Sequence, residues 1–256
     1  MGMSKKYIIG NWKLNPETVK KAESLARGIV ARVSSSRSVE IAIASPTPFL
    51  HSVKNMGDKK IFIGAQDVSI YDDGAHTGDV SATMLKSMGV KYCIVGHSER
   101  RNMGDTNEDV AKKVRQLLDM KIVPIICVGE SDRDTDGNYR DMLAEQVRVS
   151  CSKITPKEAG SFLVAYEPVW AIGERAKRSA NPDECLEATV IIRREFAHIL
   201  KNTKKATETP ILYGGSASEE TAPEFLRVGG VQGFLLGRLS LDAKLFSSFI
   251  AKIASL

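Results

Sequence analysis

Eight short apolar runs alternate with helical patterns through this 256-residue sequence, and they predict an α/β protein. The architecture they fit is a closed (β/α)8 barrel, a single domain over residues 1–256. YIIG from Tyr7 opens the series, and VEIAIA from Val39, IFIG from Ile61, YCIVG from Tyr92 and IVPIICVG from Ile122 continue it. FLVAY from Phe162, PILY from Pro210 and GFLLG from Gly233 complete it. Each run is short and rich in branched side chains, which marks a strand buried on both faces. Between them lie patterns of helical period, as in Val110, Val114, Leu117 and Leu118. Strands alternating with helices give a parallel sheet wrapped by helices, and eight such units in a chain of this length match a barrel. A doubly wound open sheet is the runner-up, but no G-x-G-x-x-G follows the first strand to support it.

Composition narrows the function classes. With 43% hydrophobic residues the chain can bury a large core. Its 36 Lys and Arg against 31 Asp and Glu leave a formal charge of +5. The basic pairs Lys20-Lys21, Lys59-Lys60, Lys112-Lys113 and Arg193-Arg194 are scattered among acids, so they read as solvated helix faces, not as a nucleic-acid surface. Cys93, Cys127, Cys151 and Cys185 show no CxxC and no Cys/His pair at ligand spacing, which suggests reduced thiols, a cytoplasmic location and no structural metal. The first residues do not form a signal peptide. No apolar run approaches the roughly 20 residues of a membrane span.

The residues that follow the strands carry the chemistry. They are Asn11 and Lys13, Gln66 and Asp67, His97 and Glu99, Glu130, Glu167, Gly214-Gly215-Ser216, and Gly237-Arg238. In a barrel these positions converge on one face, where active sites are built. Glu167 precedes Pro168, whose ring forces the glutamate backbone to be extended, so the carboxylate is aimed by covalent geometry. It is a candidate general base. His97 directly follows CIVG, and a helix opening at Ser98 and Glu99 disfavours an imidazolium, leaving a neutral ring to polarise a carbonyl. Lys13 supplies a positive charge for an anionic ligand or a developing enolate. Taken singly, Glu167 reads equally well as an ion-pair partner, while His97 reads better as a satisfied core histidine and Lys13 better as a surface lysine. The turns YGGSA and LLGR after the last two strands fit backbone recognition of a phosphate. Together the set points to proton abstraction beside a carbonyl in a small phosphorylated sugar. Asn181-Pro182-Asp183-Glu184 reads as the cap and first turn of a helix.

GNWKLN from Gly10, VGHSERR from Val95, AYEPVWAIG from Ala165, YGGS from Tyr213 and GFLLG from Gly233 resemble, in order and over essentially the whole chain, the triosephosphate isomerase family. The resemblance implies the TIM barrel and interconversion of dihydroxyacetone phosphate and D-glyceraldehyde 3-phosphate through an enediol(ate), a step of glycolysis and gluconeogenesis, without metal or organic cofactor. It implies that Glu167 moves the carbon-bound proton and His97 the oxygen-bound one. Lys13 would offset the charge, Asn11 would orient oxygens, and Glu99 would tether Lys13 or relay protons. Gly173, Ser216, Gly237 and Arg238 would hold the phosphate through backbone N–H groups. It further implies a homodimer, formed through the loop at 72–81, whose Thr77 would enter the neighbouring subunit and brace Asn11 and Lys13.

The chain also departs from that family. WAIG continues as ERAKRSA, making the segment up to Pro182 two residues longer, and Arg238 stands in a glycine pair. Asp67 replaces an asparagine and Asp79 a glutamate. Glu174 would repel a phosphate at Gly173, and pairing with Arg238 would offset it. These departures leave three alternatives: an isomerase of a tetrulose phosphate, a phosphosugar lyase using Lys13, and a non-catalytic phosphate-binding barrel.

Overall fold

The computed structural model describes residues 5–34, 36, 38–56, 60–172 and 178–256. All eight apolar runs are strands: β1 (Lys6–Asn11), β2 (Val39–Ala44), β3 (Phe62–Ala65), β4 (Tyr92–Val95), β5 (Val123–Val128), β6 (Leu163–Tyr166), β7 (Ile211–Tyr213) and β8 (Gly233–Leu236). They pair in parallel in chain order, and β8 closes onto β1 through Tyr7 opposite Gly233 and Ile9 opposite Leu235. At that seam a Cβ on Gly233 would stand 2.0 Å from the Tyr7 carbonyl oxygen, so only glycine lets the barrel close there.

The helices cover the outside: α1 (Val19–Val30), α2 (Leu50–Met56), α3 (Ala82–Ser87), α4 (Ser98–Asn102), α5 (Asn107–Asp119), α6 (Asn138–Ser150), α7 (Pro182–Ile199), α8 (Thr203–Glu208), α9 (Ala222–Arg227) and α10 (Ala243–Ala254). Helix α5 buries Val110, Val114, Leu117 and Leu118, as its sequence period requires. Helix α7 begins at Pro182 behind Asn181, which forms a reciprocal capping box with Glu184. Among the described residues no helix is long and apolar enough to cross a membrane.

Two apolar cores follow from the two faces of the strands. The barrel interior is filled by Ile9, Ala42, Ala44, Tyr92, Ile94, Ile125, Cys127, Leu163, Ala165, Leu212 and Leu235. A larger core lies between barrel and helices. Because side chains alternate along a strand, the inward series Ile9, Ala165 and Leu235 continues to Asn11, Glu167 and Gly237 at the C-terminal rim.

In two of the basic pairs one member leaves the solvated face, while Lys112 and Arg194 stay exposed. Lys113 is 2% exposed, because the carboxylates of Asp67 and Asp105 lie 2.8 and 2.5 Å from its ammonium. Arg193 turns inward from α7 and donates to the carbonyls of Ala206, Thr209 and Gly230 and to Gln232 Oε1. Both cations leave water because a convergent set of oxygens replaces it.

At the N-terminal end of the barrel, Glu40 is buried against Lys5, Lys91 and Tyr92. Burial pushes its carboxyl up, but the hydrogen bonds from those three groups outweigh it and hold the carboxyl below its ordinary range. A carboxyl depressed in the folded state contributes stability that is full above the unfolded value of about 4.3 and is lost as pH falls through the lower folded value. Urea midpoints measured from about pH 6 to pH 3 should therefore fall less steeply with acid in Glu40→Gln than in the parent.

Candidate active site

Glu167 sits one residue beyond β6, and its backbone prolongs the parallel ladder. Its N–H donates to the Val128 carbonyl at 2.8 Å, and Val169 N–H donates to Glu130 O at 3.0 Å. The carboxylate is 3% exposed. Its Oε2 accepts the Ser98 backbone N–H at 2.9 Å, and its Oε1 lies 3.1 Å from His97 Nε2. The close packing of Gly214 makes room for it, since a Cβ there would lie 2.9 Å from Glu167 Cγ.

His97 caps α4. Gly96 precedes it with φ 69°, a left-handed turn that suits glycine, and Arg101 holds the Gly96 carbonyl at 2.7 Å. His97 Nδ1 accepts the Glu99 N–H at 3.1 Å. A nitrogen that accepts a backbone N–H carries no proton, so the neutral ring bears its hydrogen on Nε2, the atom that faces Glu167.

Lys13 is held in a left-handed conformation, φ 52°, which costs a non-glycine residue about 1–2 kcal/mol. Side chains offset this at both of its backbone groups. Asn11 Oδ1 accepts its N–H at 3.0 Å, and Gln66 Nε2 donates to its carbonyl at 2.9 Å. The ammonium meets Glu99 Oε1 at 2.7 Å. Gln66 was visible in the sequence only as a strand-end residue, and its part in fixing Lys13 depends on contacts across 53 residues that no local pattern reveals.

The glycine turns after β7 and β8 complete the rim. Ser216 is exposed, as is Arg238 at the start of a short 3-10 turn, Arg238–Leu241. Trp12 Nε1 donates to Ser240 O at 3.1 Å, and Ser240 Oγ to Gly237 O at 2.7 Å, which ties the β8 turn to the end of β1. A Cβ on Gly237 would meet only Lys13 Cε, at 3.7 Å, so these two positions adjoin. Gly173, and with it Glu174 of the expected Glu174–Arg238 pair, lies outside the described residues.

Asn11, Lys13, His97, Glu99 and Glu167 are thus brought together, with Gly237 beside Lys13. Next to them opens a groove of about 750 Å³, lined in part by Asn11, Lys13, Leu14, Gln66, His97 and Met103. Leu14 and Met103 stand out from its wall, 93% and 75% exposed. Asp67 borders the groove between Arg100 and Lys113. Burial pushes its carboxyl up, against the pull of those two cations.

All four cysteines are free and buried, Cys127 beneath Glu167. Burial, and for Cys127 also the adjacent Glu167 charge, pushes the thiols up, Cys151 to about 12. They are therefore poor nucleophiles. That same burial shields all four from oxidants.

The arrangement can do proton transfer: a buried carboxylate and an imidazole N–H face one another, with an ammonium beside them. Known proteins match the chain along nearly its whole length. The model of the family described as triosephosphate isomerase matches residues 6–253. The triosephosphate isomerase of Herminiimonas arsenicoxydans is 38% identical over 251 residues, covering 97% of this chain and 99% of that protein. The triosephosphate isomerases of Francisella tularensis subsp. novicida and Francisella philomiragia subsp. philomiragia are each 35% identical over 247 residues, covering 96% of both chains. A rim built in this way, in a match that runs the length of the barrel, makes this chain a member of the triosephosphate isomerase family.

Proposed function

We propose that the chain interconverts dihydroxyacetone phosphate and D-glyceraldehyde 3-phosphate, with Glu167 as the base and His97 as the electrophile. The contact between Glu167 Oε1 and His97 Nε2 carries this reading. A substrate carbonyl oxygen entering the site would take the Nε2–H that now points at Glu167. The displaced carboxylate is then free to remove the proton from the adjacent carbon. The electron pair of that C–H bond forms the C=C of the enediol(ate), and the carbonyl oxygen, polarised by His97, gains the charge. His97 gives a proton to that oxygen and takes the one on the neighbouring hydroxyl. The C=C pair then takes the carbon proton back from Glu167 at the former carbonyl carbon as the new C=O forms on the deprotonated oxygen, which completes the isomerisation. Lys13 offsets the negative charge of phosphate and enediolate, and Asn11 orients oxygens. Glu99 holds the Lys13 ammonium, and the turns at Ser216, Gly237 and Arg238 cradle the phosphate, with Gly173 as a fourth donor by resemblance. The assigned setting is cytoplasmic glycolysis and gluconeogenesis, which suits four free thiols.

A coupled assay with dihydroxyacetone phosphate, run beside a tetrulose phosphate, tests the substrate; turnover of the tetrulose alone would overturn the triose assignment. Lys13 is engaged by Glu99, whereas a Schiff-base lyase needs a free amine. Borohydride trapping of dihydroxyacetone phosphate on Lys13 would favour the lyase.

The functional unit in this reading is a homodimer. The loop from Asp72 to Asp79 is exposed along its length, and its Thr77 projects from the same protomer whose groove lies beside Lys13. Inserting the loop of a second copy into that groove would cover Leu14 and Met103. Thr77→Arg is expected to yield a monomer by sedimentation, with kcat reduced on the order of 100-fold because Lys13 and Asn11 lose a supporting wall. A dimer of normal activity would refute this.

A further inference from the structure

Trp170, three residues beyond Glu167, is caught in a closed ring of side chains that the mechanism above does not use. Its indole N–H donates to Glu130 Oε1 at 2.9 Å. The same oxygen accepts Tyr166 OH at 2.7 Å and Arg133 Nε at 2.9 Å. Arg133 reaches on to the Glu184 carbonyl at 2.9 Å and so touches the first turn of α7. The Glu184 carboxylate takes both guanidinium nitrogens of Arg178, Nη1 at 2.9 Å and Nη2 at 2.5 Å. Arg178 in turn lies over the Trp170 ring, its Cζ 4.5 Å from the centroid. The circuit thus runs from Trp170 through Glu130, Arg133, Glu184 and Arg178 back to Trp170.

Glu130 is fully buried and Glu184 is already fixed by the capping box. These anchors do not depend on Arg178. What Arg178 adds is the last link, a second cation over the Trp170 ring, nearer than Arg133, whose Cζ is 5.6 Å from the centroid. A guanidinium suits that task because it can stack flat on an aromatic face while its edge pairs a carboxylate bidentately. Trp170 belongs to the 3-10 turn Val169–Ala171, and Pro168 couples that turn directly to the Glu167 backbone. Displacing the indole therefore moves the chain that aims the carboxylate.

We propose that Arg178 is a positioning residue for the isomerase reaction, clamping Trp170 to the start of α7 and thereby fixing the turn that orients Glu167. The inference rests on Glu167 being the base. Three variants test it: Arg178→Ala, Arg178→Lys and Glu184→Gln. Arg178→Ala is expected to lower kcat about tenfold, from a displacement of a fraction of an ångström, with KM roughly unchanged. Acrylamide quenching of tryptophan fluorescence should rise with it, because Trp12 is fully buried and Trp170 is the partly exposed member of the pair. Arg178→Lys should recover part of both losses, since an ammonium keeps the charge but not the bidentate, stacked geometry. Glu184→Gln retains the ability to cap α7 and should shift kcat and quenching in the same direction as Arg178→Ala. Should Arg178→Ala fold poorly, the Lys and Gln variants carry the test.

Wild-type kcat in Arg178→Ala, or a fall in kcat without any change in quenching, would overturn the clamp. Glu167→Asp assayed alongside separates the two levels of inference. If it loses activity while Arg178→Ala does not, the clamp alone is wrong; if it too is unaffected, Glu167 is not the base.

Discussion

Glu167→Gln is expected to lower kcat by on the order of 10²–10⁴-fold, the range associated with losing a positioned general base, while KM and thermal midpoint stay near those of the parent. The reason for choosing glutamine is geometric. Its amide oxygen can still accept the Ser98 N–H, one of the two contacts that hold the carboxylate, while its NH2 takes the place of the oxygen that faces His97 Nε2. The buried site therefore keeps its shape and the Ser98 hydrogen bond, and loses the His97 contact together with the capacity to accept a carbon-bound proton. Glu167→Asp makes the complementary change. It keeps the charge but withdraws the carboxylate by about 1 Å or more, which should cost about 100-fold in kcat, roughly 2.7 kcal/mol. Steady-state kinetics in both reaction directions would measure these effects. Equal activity of the parent and both variants would remove Glu167 from the mechanism, and a large rise in KM with constant kcat would make it a binding group.

The strands were legible because a barrel strand is buried on both faces, so each one appears as an uninterrupted apolar run between helical stretches. The same property conceals which side chains face inward, because no polar alternation marks the two faces. Glu167 was still recognisable, as a carboxylate set against a proline at the end of such a run, and Asn181 and Glu184 were recognisable as a local cap. What could not be read were partnerships between distant segments. Lys113 looks like half of a surface pair until Asp67, 46 residues away, is found against it. Trp170 looks like one more aromatic until Glu130 and Arg178 are seen to hold it. Gln66, which fixes both Lys13 O and Ala44 O, gives no sequence signal beyond its place after β3. Sequence pattern reports burial and local backbone preference, whereas these groups are set by convergence at the rim of a closed sheet.

Gly129 shows how closely stability and chemistry are joined at that rim. It follows β5, and a Cβ at this position would stand 1.7 Å from the carbonyl oxygen of Glu167 and 2.6 Å from its carbonyl carbon. The obstruction is backbone against backbone, so no side-chain rotation relieves it. Gly129→Ala must push apart the ends of β5 and β6, where Glu167 N–H donates to Val128 O and Gly129 N–H to Gln146 Oε1 at 2.6 Å. The expected loss is about 3 kcal/mol, at the upper end for forced overpacking, read as a lower urea midpoint. The folded fraction should also lose about 100-fold in kcat, because separating the strands carries Glu167 away by about an ångström. Gly214→Ala offers a graded comparison. Its Cβ would meet Glu167 Cγ at 2.9 Å and Tyr166 O at 3.1 Å, and the first of these is a side-chain atom that can yield. Gly214→Ala should therefore be milder in stability yet still impair kcat, since the group that gives way is the proposed base itself. A Gly129→Ala protein with both normal stability and normal kcat would mean that the ends of β5 and β6 are not joined as closely as this packing requires.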